Sequence, residues 1–167
     1  NIVLLKILKY NNKMDVKQMF EKAMKDPELV STIDIEKLLD SLQDQRNDYL
    51  ENKSLKDINQ NVFEKINILD IELEEKQIYC NKLIEYYPIE HIYELHKGKH
   101  IRWIRNNKLT NGGIIVNIKF TDNGTQILCM NSSKKFTQIK FDECIIFQKL
   151  NETEQLIIMA YEYSQNC

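Results

Sequence analysis

Apolar positions at helical spacing before Gly98, a switch to two-residue alternation after it, and a last helical stretch beyond Asn151 predict an α+β chain. The expected architecture is an N-terminal helical hairpin with a coiled-coil-like stripe, a small five-stranded antiparallel β-barrel and a C-terminal helix. It divides into an acidic helical arm over residues 14–96, a basic β module over 97–150, and a helix over 151–167 that packs on the module. A chain of 167 residues with 43% hydrophobic content can bury a core of this kind, and four Gly and two Pro are too few for a linker.

Residues 1–13 fit neither part. The apolar run Ile2–Leu8 is interrupted by Lys6, is too short to span a membrane, and lacks a small-residue cleavage site. Met14 is the first methionine and a helical pattern starts directly after it. The natural protein is therefore expected to begin at Met14, with 1–13 a non-native or upstream extension.

In the arm, Val16, Met19, Phe20, Ala23 and Met24 predict a first helix that Asp26-Pro27 ends. Ser31 and Asp34 form a capping signal before a second helix, whose stripe runs Ile35, Leu38, Leu39, Leu42, Tyr49 and Leu50 and is crossed by Gln45 and Arg46. Ser54-Leu55-Lys56-Asp57 repeats that signal. The third stripe, Leu55, Ile58, Val62, Ile66, Leu69, Leu73, Cys80 and Leu83 or Ile84, predicts one unbroken helix to Tyr87. At its usual rise such a helix is about 50 Å long. Pro88 ends it and opens a short helix over Ile89–Leu95. The brief connection at Asn52-Lys53 folds the second helix against the third as a hairpin.

Beyond Gly98 the period changes. Strands are expected over His100–Arg105, Ile114–Phe120, Thr125–Asn131, Lys135–Phe141 and Cys144–Lys149. In the second of these, Ile114, Val116, Ile118 and Phe120 alternate with Ile115, Asn117 and Lys119, the pattern of a half-buried strand. Asp122-Asn123-Gly124 marks a tight hairpin turn, and Gly112-Gly113 a bend. Five short strands in so little chain predict a closed barrel, since an open sheet exposes its edges. Asn151 and Glu154 introduce the final helix, Glu152–Tyr163.

Charge separates the two parts. Residues 14–95 hold ten Lys/Arg and nineteen Asp/Glu, whereas 96–150 hold ten Lys/Arg and three Asp/Glu, giving −9 and +7. The basic module offers Lys97, Lys99, Arg102, Arg105, Lys108, Lys134 and Lys135 as nucleic-acid contacts through phosphate. The same charge also suits an acidic arm, or the lysine-rich faces by which strand edges avoid aggregation. Among the aromatics Trp103, Phe120, Phe136, Phe141 and Phe147, Trp103 and Phe136 are the candidates for a Tudor-like cage or a base-stacking platform. Most of the five occupy alternating positions that predict core instead.

Other chemistry is weakly signalled. Cys80, Cys129, Cys144 and Cys167 never form a C-x-x-C pair, and free thiols in strand-like runs read as small hydrophobes in a reducing, intracellular setting. His91 and His96 fall on different faces of a helix and His100 in a strand, so no metal site is expected. Asp142-Glu143 point apart if extended, and Gly112-Gly113 matches no phosphate-loop fingerprint. A non-enzymatic protein without a cofactor or membrane partner is the expectation.

The runs His96-Lys97-Gly98-Lys99-His100-Ile101-Arg102-Trp103-Ile104, Leu109-Thr110-Asn111-Gly112-Gly113 and Phe141-Asp142-Glu143-Cys144-Ile145-Ile146-Phe147-Gln148-Lys149-Leu150 resemble uncharacterised proteins of giant nucleocytoplasmic large DNA viruses. In those, a helical N-terminal part precedes a small β module. The resemblance covers about residues 96–160 and implies a viral origin, in host cytoplasm, viral factory or virion, without an activity. The first functional expectation is a scaffolding protein that binds a partner, or itself, through the helical arm. The second is nucleic-acid binding through the β module.

Overall fold

The computed structural model describes residues 40–165, so the predicted helix over 14–25, the signal at Ser31 and the start of the second helix lie outside the described residues. Two compact units divide the chain: residues 60–150 form one, and 40–59 with 151–165 are the described part of the other. The antiparallel pairing expected of the second and third helical stretches depends on residues before 40.

In the second unit the chain is helical at 40–43, bends at Asp44 and continues as a 3-10 helix over Gln45–Leu50. Asp44 drives that bend, because its carboxylate accepts the Arg46 amide at 3.0 Å and also binds the Arg46 guanidinium. Helix α1, Leu55–Asn67, starts at the expected cap: Ser54 Oγ accepts the Asp57 amide at 2.9 Å, and Glu162 Oε1 accepts the Leu55 amide at 3.1 Å. Glu162 comes from the C-terminal helix Glu152–Gln165, here α3. Its own start is the predicted reciprocal box, with Asn151 Oδ1 accepting the Glu154 amide and Glu154 Oε2 accepting the Asn151 amide, both at 2.8 Å. Leu50, Ile58, Ile157 and Ile158 are buried here.

The 50 Å helix does not form. After α1, residues 68–72 turn, and α2 covers only Leu73–Lys82. At 13 and 10 residues, α1 and α2 are about 20 and 15 Å long. The apolar rhythm hides the break because Leu69, inside the turn, keeps the spacing of the helical stripe and is buried there. Local charges favour it: Glu74 and Glu75 sit in the first turn of α2, where the helix dipole stabilises anions. Lys76 Nζ reaches back to the Asn67 carbonyl at 2.7 Å and caps the end of α1.

Residues Tyr86–Pro88 are not helical either but form strand β1, and the predicted helix over Ile89–Leu95 shrinks to a 3-10 turn, Ile92–Glu94. Pairing with β7 explains this. Tyr86 faces Lys149 and Pro88 faces Phe147, while the Ile89 amide donates to the Ile146 carbonyl at 2.8 Å. The segment behind β1 is held by a buried polar knot. The Glu94 carboxylate accepts from Tyr87 Oη at 3.2 Å and from the Glu90 and His91 amides, and Gln148 accepts the His96 amide and donates to the Glu94 carbonyl. Burial, with the Glu94 carboxylate beside it, pushes the Tyr87 hydroxyl upward.

All five predicted strands occur, as β2 His100–Arg105, β4 Gly113–Thr121, β5 Gly124–Met130, β6 Phe136–Lys140 and β7 Ile145–Lys149. A two-residue strand β3, Lys108–Leu109, folds back on β2 across Asn106-Asn107, both with positive φ. Every pairing is antiparallel, in the order β1-β7-β2-β4-β5-β6 with β3 beside β2. The closed five-stranded barrel is thus corrected to an open, bent sheet: among the described residues no ladder joins β6 to β7 or β1. The edge of β7 that ring closure requires is occupied by β1. Bending comes from a bulge in β4 between Ile115 and Asn117 and from β2, which leaves β4 after Ile101 to pair with β3.

The bend encloses Ile101, Trp103, Ile115, Ile127, Cys129, Ile139 and Ile146, all buried. The face predicted from β4 is corrected as well. Ile115 is the buried residue, at 1% exposure, while Ile114, Val116 and Phe120 are exposed. The bulge shifts the register, so alternation read through it assigns its two ends to one face when they lie on opposite ones.

Candidate functional site

Where β2 leaves β4, the sheet opens into a groove of about 830 Å³. One wall is the β2–β3 hairpin, contributing Trp103, Arg105, Asn106 and Lys108; the other is the turn Asn131-Ser132-Ser133 after β5. His100, Ile114 and Met130 line it between them. Those three belong to one cross-strand row, since His100 faces Ile114, Ile114 faces Met130, and Met130 faces Phe136. Directly opposed residues project to the same side of a sheet. Phe136, 61% exposed, therefore continues the row onto open surface.

The groove depends on close backbone approach. A Cβ on Gly112 would lie 1.9 Å from the Ile101 carbonyl oxygen, and φ there is +80°. One on Gly113 would lie 2.7 Å from the Met130 carbonyl oxygen. Thr110 ties this segment to β2, its amide and hydroxyl both donating to the Trp103 carbonyl, at 3.0 and 3.1 Å. The far turn is self-supporting: Asn131 Oδ1 accepts the Lys135 amide at 2.9 Å, and Lys134 takes a left-handed φ of 58°.

Of the cations anticipated from sequence, Arg105 and Lys108 line the groove, and Lys134 and Lys135 are the next residues of its far turn. All four are exposed. Lys97 lies in the turn before β2, with Lys99 half-buried two residues on, and Arg102 stands apart with its guanidinium carbon 5.6 Å from the centre of the Tyr86 ring. The two aromatic candidates part company: Trp103 is 7% exposed and works as core at the groove's edge, whereas Phe136 is open. Phe120, expected in the core, is 74% exposed near the β4–β5 hairpin tip.

The polar lining is not anticipated from sequence. Asn106, Asn111, Asn131, Ser132 and Ser133 bring amide and hydroxyl groups to the same space. Their only signal is a cluster of Asn and Ser in turns on either side of two strands far apart in sequence, which means nothing until the strands are paired. No carboxylate is among the residues that line the groove.

Acid–base capacity there is small. His100 is the one histidine in the lining; its Nδ1 is 3.1 Å from Tyr86 Oη, and burial, then Arg102 and Lys149, hold its pKa below the ordinary value. Among the described residues no three His, Cys, Asp or Glu side chains are arranged to hold a metal ion. Burial pushes the Cys80 and Cys129 thiols up to about 11, so both are protonated at neutral pH. No helix among the described residues is long and apolar enough to cross a membrane.

No family model matches the chain, and no curated protein or solved structure matches it.

Proposed function

We propose that this chain is a non-enzymatic binding protein whose sheet unit grips nucleic acid in the groove between the β2–β3 hairpin and the turn at 131–135. The observation that carries this reading is the groove's one-sided chemistry: two cations in its lining, two more in its far turn, amide and hydroxyl donors between them, and no carboxylate. Phosphate is attracted by such a field, and contacts of this kind position a strand without reading its sequence. Phe136 and the apolar row leading to it add a surface on which a base can stack, which favours single strands. A nucleic-acid partner also suits the viral setting implied by the resemblance of residues 96–160.

The test is the salt dependence of binding of the full chain to labelled single-stranded oligonucleotides of mixed sequence. Four phosphate contacts predict that log affinity falls with log salt at a slope of about −3. Replacing Lys134 and Lys135 together by Ala is expected to weaken binding to all sequences alike and to flatten that slope by about 1.4. Absence of binding at low salt would remove the proposal. Lys134→Gly provides a control, since it deletes one charge while relieving the positive φ at that position.

A second reading, protein binding through the helices, is supported by one observation. Ile68 and Leu73, around the turn between α1 and α2, are 78% and 68% exposed. Polar replacement of both is expected to leave nucleic-acid affinity unchanged and to abolish self-association, if sedimentation detects any in the parent chain.

A further inference from the structure

Arg102 is placed unusually for a cation. It lies in β2 directly opposite Phe147 of β7, which is opposite Pro88 of β1. Its guanidinium rests 5.6 Å above the centre of the Tyr86 ring, a cation–π distance. Nε and Nη1 are buried and hydrogen-bonded to nothing. Desolvated donors on a charged group are costly unless an acceptor meets them.

The charged groups that act on neighbouring His100 are Arg102 and Lys149, both cations, with the Tyr86 hydroxyl at its Nδ1 and Ile114 opposite it in β4. Lys149 faces Tyr86 in the β1–β7 ladder, so three cationic or protonatable side chains from β2 and β7 converge beside one tyrosine. A preorganised guanidinium fork with a lysine nearby is the donor set that recognises tetrahedral oxyanions, the fork supplying paired N–H groups and the lysine a point charge.

We propose that Arg102, together with Lys149 and the His100–Tyr86 pair, forms an oxyanion site of the phosphate class, separate from the groove cations and independent of the groove reading. The phosphate comes either from a nucleic-acid backbone crossing β2 or from a free or mononucleotide phosphate. Both present the same oxygens to the guanidinium.

The experiment follows thermal unfolding of the full chain in inorganic phosphate against chloride at matched ionic strength, for the parent and for Arg102→Met and Arg102→Lys. The parent is expected to unfold at a higher temperature in phosphate, by the mass-action stabilisation of a bound native state. Arg102→Met keeps an apolar stem over Tyr86 and removes the unpartnered donors. It is expected to unfold no lower than the parent in chloride and to show no phosphate response. Arg102→Lys, which keeps the charge but not the fork, is expected to respond weakly. The source is then separated by oligonucleotide binding: a backbone phosphate predicts that Arg102→Met lowers the salt slope by about 1, and a free phosphate predicts no change. A parent with no phosphate-specific shift overturns the proposal, as does an Arg102→Met chain that loses stability in chloride yet keeps the phosphate response. Should Arg102→Met not fold, the parent's response to phosphate and its loss in Arg102→Lys decide the question.

Discussion

The two faces of the β4–β5–β6 sheet carry similar residues and have different fates. On the enclosed face Ile115, Ile127, Cys129 and Ile139 are buried, while on the other Ile114, Met130 and Phe136 lie in a cross-strand row that stays open or half-open. Apolarity alone did not determine which side became core. The strand pairing did, because the bulge between Ile115 and Asn117 sets which β4 side chains share the face of Ile127 and Cys129. The outer row then remains beside Lys134 and Lys135 and runs into a cation-lined groove, the surface on which the proposed nucleic-acid reading rests.

Substitutions can break this contrast in order of expected size. Gly112→Ala stands at the seam where both faces meet, and it should be the most damaging, on the order of 4–5 kcal/mol, since the new Cβ collides with the Ile101 carbonyl oxygen at a positive φ. Chemical denaturation would show it, and a near-parental midpoint would mean that β2 and β4 are not in contact there. Ile127→Ala, on the enclosed face at 0% exposure, is expected to cost about 2–5 kcal/mol by the same measurement. Phe136→Ala, on the open face, should change stability by no more than about 0.5 kcal/mol. Its effect belongs in binding instead, a loss of about 1–3 kcal/mol of single-strand affinity if a base stacks there.

The smallest effect is a pH dependence at the end of the open row. His100 has a folded-state pKa below its ordinary 6.5, so as acidity increases the unfolded chain takes up that proton first. Stability is therefore unaffected by this group above about pH 6.5, declines as pH falls below it, and levels off once the folded pKa is passed. His100→Gln should flatten that part of a stability-versus-pH curve. A curve unchanged by the substitution would show that His100 is as easily protonated in the fold as outside it.

Much of the sheet is legible in the sequence because its signals are local. Asp122-Asn123-Gly124 produces the expected hairpin, although only Gly124 takes the positive φ. Asn151 and Glu154 cap α3 reciprocally, and Ser54 caps α1, since a cap acts within a single turn of chain. The long helix failed for a reason just as physical: Leu69 satisfies the helical stripe and also anchors a turn, so periodicity registers burial but not the break. Strands β1 and β3 left no pattern, being too short for alternation to show.

The chain's own residues thus determined where the five longer strands lie, the tight turn at Asp122-Asn123-Gly124, and the caps of α1 and α3, because each of these is settled among residues a few positions apart. Four matters waited on the tertiary structure: which face of β4 is core, whether the sheet closes, which cations share the groove with the turn at 131–135, and which arginine is left with unpartnered nitrogens. Each depends on a partner strand distant in sequence, as β1 shows by occupying the β7 edge that a closed barrel requires, and no local pattern encodes that choice.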